Sequence, residues 1–360
     1  MFKGNHMKQR SHFLSMSRLV FFLTGIFFLS LLGCSKAEAI GSGSSAATIS
    51  GNIATVNGVG ISQVYFYNAL QIFRLPANGR NPYPNESVGT TILRRLIQNQ
   101  IVEQLAKKEG VYPSDADIQN LYKEVVYLQD KKSVKPFEKQ LSELGLTPAY
   151  FQHDQILPHL CQINLAAKGL KITDQELSSY YSEHLADEFT IHNAAHIQRM
   201  VLSTKADADK ISNAIKAGKS FDEMYSKSDS KDPDFGDIPQ WIALDDKNPQ
   251  FLPVITALNA TPAGSVTAPI SFQGGYWIIK VVQKRPAEII PQDKVPATLR
   301  EGLMQEKSGA DSARLTAFES ELNAAQRNAD IKVMNPQYND LVTELKNPPD
   351  LSKIAAPSSH

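Results

Sequence analysis

The chain has 360 residues, of which 42% are hydrophobic, and its 37 basic residues balance its 37 acidic ones. Four basic residues and no acidic residue precede Cys34, so the part that follows holds 33 basic against 37 acidic residues, a net charge of about −4. This balance argues against nucleic acid as a partner, because phosphate binding requires a basic face. The length is sufficient for two folded domains.

Residues 1–34 have the features of a targeting segment. A basic start leads into a mostly apolar run that is short for a membrane span, and the run ends at Leu31-Leu32-Gly33-Cys34. This ending resembles the lipobox of bacterial lipoproteins. The resemblance implies that Cys34 is the lipid attachment site and that the protein is exported and anchored to a bacterial membrane, at the periplasmic face or the cell surface. An ordinary secretion signal and an uncleaved anchor are the alternatives.

Residues 35–51 are rich in Ala, Gly and Ser, which predicts a flexible tether. A helical lobe is predicted over residues 52–190. It begins with a short strand, a turn at Asn57-Gly58 and a helix from Ser62. Further helices are predicted from 90 to 108 and after the capping residues Ser114, Thr147 and Thr173.

Residues 191–285 change to short strands and small helices in the order β-α-α-β-α-β-β. The last part of this segment predicts a hairpin: an edge strand from Val266 to Ile270, a turn at Gly274-Gly275, and a buried strand from Tyr276. A long helix from about 296 to 327 is predicted within residues 286–334. Residues 335–360 are Pro-rich and are predicted to be a loose tail.

Three strings resemble known families. The hairpin carries G-x-V-[ST]-x-P-[VI]-x-x-x-x-G-Y-x-I-I, which resembles the C-terminal end of parvulin-type (PpiC-like) peptidyl-prolyl isomerase domains. A-x-V-N-G-x-x-I-S from residue 54 and L-G-L-T-P-x-x-F from residue 144 resemble the SurA and PrsA group of extracytoplasmic foldases. The resemblance implies an α+β fold, in which a helical chaperone lobe carries a parvulin-like domain and the C-terminal helix returns to the lobe.

The resemblance implies that the protein isomerises X-Pro bonds in unfolded or partly folded exported polypeptides, without a cofactor or a metal. Two classes of function stay open. One is an active isomerase. The other is a non-catalytic chaperone or holdase with a degenerate parvulin domain, including an accessory factor of an export or polysaccharide system.

The parvulin family pairs two histidines across its catalytic site. Where its second histidine stands, this chain has Trp277, whose indole can donate a hydrogen bond but not accept one. Trp277 is interpreted either as core packing or as an aromatic that stacks on a prolyl ring. The first histidine falls on His196 by the local A-x-H-I match, or on Met200 when residues are counted back from Gly218. His196 and Met200 share one strand face, so either one could line the site.

The remaining candidates also come from the resemblance. The acidic position of the family falls on Asp229, with Asp232 as the rival. Phe251 matches the aromatic of the proline pocket, and Leu258 is assigned to the same pocket, while Lys247 stands where the family prefers methionine. The predicted catalytic residues are thus His196 and Asp229, and the predicted substrate-binding residues are Phe251, Trp277, Met200 and Leu258.

One cluster is dismissed on spacing. His153, His159 and Cys161 lie on one predicted helix but do not share a face at helical spacing, so no metal site is predicted there. Cys161 is interpreted as a small core residue. It is also the only cysteine after Cys34, so no internal disulfide is expected.

Overall fold

The computed structural model describes residues 51–72, 86–227 and 240–347. The predicted anchor at Cys34 and nearly all of the predicted tether lie outside these ranges. The described residues up to Tyr180 and from Val295 onward form one compact unit, and Tyr181–Lys294 forms a second. Helices and antiparallel sheets occur together, so the predicted α+β class is confirmed. None of the described helices is both long and apolar enough to span a bilayer.

The first stretch of the chain runs through β1 (Asn52–Val56), β2 (Val59–Ser62), α1 (Gln63–Ile72), α2 (Val88–Lys108), α3 (Asp115–Lys132), α4 (Phe137–Glu143), α5 (Pro148–Phe151), α6 (Leu157–Ala166) and α7 (Asp174–Glu183). The second unit follows with β3 (Thr190–Ile191), β4 (Ala194–Leu202), α8 (Lys205–Lys216), α9 (Phe221–Lys227), β5 (Gln240–Ala243), α10 (Leu252–Ala260), β6 (Ile270–Phe272), β7 (Gly275–Arg285) and β8 (Glu288–Ile289). The chain then continues through α11 (Pro296–Ala310), α12 (Ser312–Asn328), β9 (Ile331–Val333) and α13 (Asp340–Lys346).

The first unit joins the two ends of the described chain in one sheet. Its strand order is β2-β1-β9, with Ala54 of β1 opposite Val333 of β9. The predicted turn at Asn57-Gly58 is present, with φ angles of 50° and 82°, as a two-residue hairpin of this type requires. The long helix α2 packs on this sheet and is buried along most of its length, which gives the unit its centre.

The predicted helix starts are present because each depends only on local side chains. Ser114 accepts a hydrogen bond from the Asp117 amide, and Asp117 accepts one from the Ser114 amide, which completes a capping box. Thr147 accepts a hydrogen bond from the Tyr150 amide at the start of α5. The Thr173 hydroxyl caps α7 in the same way.

Helices α5 and α6 are joined by a π-helical turn over Gln152–Ile156. The turn contains Asp154, which is 2% exposed and accepts hydrogen bonds from the Tyr65 hydroxyl at 2.7 Å and from Arg95 at 2.9 Å. Cys161, further along in α6, is fully buried as predicted, and burial raises the pKa of its thiol to about 12. Within the described ranges, no group of His, Cys, Asp or Glu side chains is arranged to hold a metal ion.

Two predictions about the C-terminal part are corrected. The single helix predicted from 296 to 327 is two helices, because Asp311 has an extended backbone and its side chain caps α12 by accepting from the Arg314 amide at 3.0 Å. The tail predicted from residue 335 is folded as far as residue 347. Leu341 and Leu345 of α13 are almost fully buried in the core that α2 forms with the sheet, and this burial orders the segment.

The second unit has the predicted order β-α-α-β-α-β-β from β4 to β7. Its main sheet has the strand order β5-β4-β7-β6, so β4 and β7 are the central pair. The hairpin turn lies one residue earlier than predicted. Phe272 pairs with Gly275, and the two turn residues Gln273 and Gly274 have φ angles of 49° and 78°.

Candidate functional site

The two faces of the main sheet carry different clusters, because side chains alternate along a strand. One face, here called the α10 face, packs against α10 and includes Ala195 and Ile197 of β4 with Trp277 and Ile279 of β7. The other, here called the α8–α9 face, packs against α8 and α9. Each predicted site residue that lies on the described strands can therefore be assigned to one face.

An aromatic row crosses the α10 face. The Trp277 ring lies 4.5 Å from the Phe272 ring, and the Phe272 ring lies 5.0 Å from the Phe251 ring, both in edge-to-face geometry. Trp277 is 5% exposed and Phe272 is 6% exposed, whereas Phe251 is half-buried at the start of α10. The aromatic row (Phe251, Phe272 and Trp277) thus has a buried floor and one partly exposed end.

Arg199 completes this row at its other end. Val201 of β4 lies opposite Trp277, so Arg199, two residues earlier, shares the same face. Its guanidinium carbon lies 4.0 Å from the centre of the Trp277 ring. A cation at this distance over an indole contributes about 0.5–2 kcal/mol, depending on how far it is desolvated. The Arg199 side chain is half-buried.

Sequence reasoning missed Arg199, although it lies directly before one of its two candidates. The signal was the alternation in β4: the odd positions Ala195, Ile197 and Val201 are apolar and lie with Trp277. Because odd positions of β4 share the Trp277 face, Arg199 lies on that face, whereas His196 and Met200 lie on the other.

The structure does not bring His196 or Met200 together with Trp277. Met200 is fully buried on the α8–α9 face against Ile278 and Phe221. His196 lies on the same face as Met200, as predicted, and its ring packs on Trp241 with centroids 5.3 Å apart. Both side chains are separated from Trp277 by the sheet itself, because even and odd residues of β4 point to opposite sides.

Two other candidates do lie with Trp277. Phe251 forms one end of the aromatic row, and Leu258 of α10 is fully buried in the same cluster. Lys247 is exposed in the loop before α10. Asp229 and Asp232 lie outside the described residues.

A second arginine–tryptophan stack occupies the α8–α9 face. The Arg285 guanidinium carbon lies 4.4 Å from the centre of the Trp241 ring, next to His196. Burial lowers the pKa of Arg285. Among the described residues, the sheet therefore presents the same pair of residue types on both sides, and the aromatic row lies on the α10 face.

The chemistry of the α10 face follows from its side chains. Phenyl and indole rings offer apolar surface on which a prolyl ring can stack. The Arg199 guanidinium offers N–H donors and a permanent positive charge, and neither arginine nor tryptophan can accept a proton at physiological pH. These residues offer apolar surface and a fixed positive charge, but they cannot relay a proton.

Two family profiles match this chain. The profile of the PPIC-type PPIASE domain matches residues 172–297, and the profile of the SurA-like N-terminal domain matches residues 5–143. The foldase protein PrsA of Clostridium botulinum (strain Loch Maree / Type A3) is 29% identical over 230 residues, which are 60% of this chain and 66% of that protein. The chain thus spans slightly less than two thirds of that relative.

Other relatives cover more of the chain. The foldase protein PrsA of Clostridium acetobutylicum is 25% identical over 324 residues, which are 84% of this chain and 94% of that protein. The crystal structure of PrsA from Bacillus subtilis is 18% identical, covers 82% of this chain and 99% of that one, and has a TM-score of 0.24. The chain therefore combines a match to the SurA-like N-terminal domain with a match to the PPIC-type PPIASE domain, in that order, and it is similar along most of its length to foldase proteins named PrsA.

Proposed function

We propose that this protein is an exported, lipid-anchored foldase that binds proline-containing segments of unfolded or partly folded polypeptides on the α10 face. The observation that carries the proposal is the aromatic row, with the Trp277 ring between Phe272 and the Arg199 guanidinium. The half-buried Phe251 forms its accessible end, on which a prolyl ring can pack.

The proposed site binds proline without strong catalysis. Rotation about an X-Pro bond has a barrier of about 18–20 kcal/mol, and an enzyme lowers it only by binding the twisted amide better than the planar one. Stacking and apolar burial hold both forms nearly equally. We therefore propose slow isomerisation together with suppression of aggregation, so that the protein acts as a holdase.

An active isomerase is the second candidate, and two observations favour it. The family profile that matches residues 172–297 is that of an isomerase domain. In addition, Arg199 has N–H donors beside the aromatic row, and a donor aimed at the carbonyl oxygen of the residue before proline would favour the twisted amide.

The proposed architecture follows the division drawn from the sequence: a helical lobe over 52–190, a parvulin-like domain over 191–285, and a C-terminal segment over 286–334 that returns to the lobe. It is supported by the grouping of residues up to Tyr180 with residues from Val295 onward in one compact unit. Export and anchoring are supported by Leu31-Leu32-Gly33-Cys34. Because several acyl chains on one cysteine hold a protein stably to a membrane, the lobe would work close to that surface.

The test compares two activities of the chain that begins at Cys34, produced without its lipid. One is the isomerisation rate of a proline peptide, and the other is suppression of aggregation of an unfolded protein. We expect slow or undetectable isomerisation and clear suppression. Phe251→Ala should weaken proline-peptide binding about fivefold, because it removes part of one aromatic contact worth about 1 kcal/mol at a half-buried position.

His196→Ala is the matched control, since His196 lies on the opposite face of the same sheet. It should leave peptide binding and the isomerisation rate nearly unchanged, provided that thermal melts show the variant to be folded. A fast wild-type rate that His196→Ala abolishes would contradict the proposal and place the catalytic site on the α8–α9 face. A fast rate that Phe251→Ala abolishes would favour the active isomerase on the α10 face.

A further inference from the structure

We propose that Leu252 makes the α10 face select proline segments that carry a large apolar side chain next to the proline. This inference rests on the proposed function, because it names the class of segment that the same site would take. It follows from an exposed leucine that comes directly after Phe251, the accessible end of the aromatic row.

Leu252 stays at the surface while its helix is otherwise well packed. It is 54% exposed, whereas three other apolar residues of α10 are buried: Val254, Ile255 and Leu258. A single exposed leucine is ordinary on a protein surface. This one, however, is the chain neighbour of Phe251, so a ligand that packs on the Phe251 ring passes close to it.

The contacts of α10 show which of its flanks carries Leu252. At the start of the helix, the Phe251 ring lies 5.0 Å from the ring of Phe272 in the edge strand β6. At its end, the Asn259 side chain donates to the Leu244 backbone oxygen at 3.1 Å, next to β5 at the opposite edge of the sheet. Residues seven positions apart share one side of a helix, so Leu252 lies on the same flank as Asn259. That flank is turned towards β5.

The strand on this side of the row adds a second apolar side chain. Within the described residues, β5 pairs with β4 as far as Ile197, and β4 continues beyond that point to Leu202. Val201, which lies opposite Trp277, is half-buried and packs against the cluster of the α10 face. A segment whose prolyl ring packs on the row would therefore meet Leu252 from the helix and Val201 from the strand.

The side chains of this flank favour an apolar ligand over a polar one. Helix α10 contains no charged residue, and the Asn259 amide already donates to Leu244. A leucine side chain that packs here gains free energy in proportion to the apolar area that leaves water. An amide or a carboxylate in the same place would lose its contacts with water without gaining a hydrogen bond from Leu252 or Val201.

The experiment measures binding of short peptides to the chain that begins at Cys34 by titration calorimetry. The peptides are identical except for the central triplet, which is Ala-Pro-Ala, Leu-Pro-Ala, Ala-Pro-Leu, Asn-Pro-Ala, Ala-Pro-Asn or Leu-Ala-Ala. We expect at least one of the two leucine–proline peptides to bind about fivefold more tightly than Ala-Pro-Ala, the effect of burying part of a leucine side chain. Asparagine at the same position should give no gain, and Leu-Ala-Ala should bind poorly because it lacks the prolyl ring.

The variants separate Leu252 from general hydrophobicity. Leu252→Asn, which nearly keeps the side-chain volume, should remove the preference for leucine, whereas Leu252→Met should retain most of it. Ile289→Asn is the matched control, because Ile289 is 57% exposed in β8, which pairs with β3 outside the main sheet. It should leave the preference unchanged. In the wild-type chain, the leucine peptide should also bind with a more negative heat-capacity change than Ala-Pro-Ala, and that measurement does not depend on any variant folding.

Each contrary result has a distinct meaning. Equal binding of all proline peptides by the wild-type chain overturns the selectivity of Leu252 and leaves proline binding intact. A preference that survives in Leu252→Asn, or that is lost in Ile289→Asn, also overturns it, because the apolar contact would then lie elsewhere. So does binding of Leu-Ala-Ala as tight as that of the better leucine–proline peptide, since proline would then play no part. Failure of the wild-type chain to bind any proline peptide overturns the proposed function, and this inference with it.

Discussion

Ending the chain after Lys294 should unfold the first unit, because the segment that follows supplies part of its core. The segment contributes Leu299, Leu303 and Phe318, which are 2%, 6% and 8% exposed. Burial of such a side chain contributes about 1.5–3 kcal/mol, so the three together contribute about 5–9 kcal/mol. The whole stability of a domain is about 5–15 kcal/mol, and the truncation also removes β9 from the sheet. The truncated lobe should therefore be unfolded at 25 °C.

The matched deletion removes residues 191–285 and joins their flanks with a short Gly-Ser linker. It takes no residue from the compact unit formed up to Tyr180 and from Val295 onward, so that unit should keep its helical circular dichroism signal and a cooperative thermal transition. A cooperative melt of the chain that ends at Lys294, or loss of the transition on deletion of 191–285, would contradict this prediction. The first result would mean that the lobe folds without the C-terminal segment, and the second would mean that the first unit depends on residues 191–285.

Three further predictions concern single residues. Cys34→Ser should leave an unprocessed precursor or release soluble protein in a membrane fractionation; mature-sized protein that still sediments with membranes would contradict the lipid anchor. Glu124 accepts hydrogen bonds from the Ala297 and Thr298 amides at 2.9 and 2.7 Å. Glu124→Ala should therefore lower the free energy of unfolding by about 1–2 kcal/mol and the Tm by about 2–8 °C. An unchanged Tm would show that this cap contributes nothing to stability. Burial raises the pKa of Glu103, so the folded state binds this proton more tightly than the unfolded state. The free energy of unfolding of the wild-type protein should therefore increase as pH falls from neutral towards the usual glutamate pKa. Glu103→Gln should lack this increase when urea titrations at pH 8 and pH 5 are compared. Identical pH dependence of the two proteins would exclude Glu103 as its source.

Features fixed by neighbouring residues were predicted well. The capping residues Ser114, Thr147 and Thr173 each act within three positions along the chain, and their helices begin where the sequence placed them. The order of elements in the second unit follows from the same kind of local pattern. These signals need no knowledge of what packs against the segment.

Features fixed by distant partners were missed. The strand Ile331–Val333 is short and becomes recognisable only through its pairing with β1 at the other end of the chain. Glu124 caps a helix that begins more than 170 positions later, and no local pattern links the two. The order of the segment after residue 335 likewise depends on burial of Leu341 and Leu345 in a core built by other elements.

At one position, the residue that lies beside Trp277 differs from the residues that the sequence alignments suggest. A shift of one residue in a strand moves a side chain to the other face of the sheet. The two alignments place the family's first histidine at His196 or Met200, which share one face of β4. The pairing of Val201 with Trp277 instead places Arg199 beside the indole. By contrast, Trp277 and Phe251 were placed by their flanking residues, and they do lie on one face.

The central claim, that proline segments bind at the aromatic row, is tested most directly by tryptophan fluorescence. The chain has two tryptophans, and they lie on opposite faces of the main sheet. Trp241→Phe leaves Trp277 as the only reporter, and Trp277→Phe leaves Trp241. When a proline peptide is titrated into each variant, the emission of the Trp277 reporter should shift with saturable dependence on peptide concentration, and that of the Trp241 reporter should stay constant. A saturable shift of Trp241 with none at Trp277 would contradict the account, because it would place the peptide on the α8–α9 face.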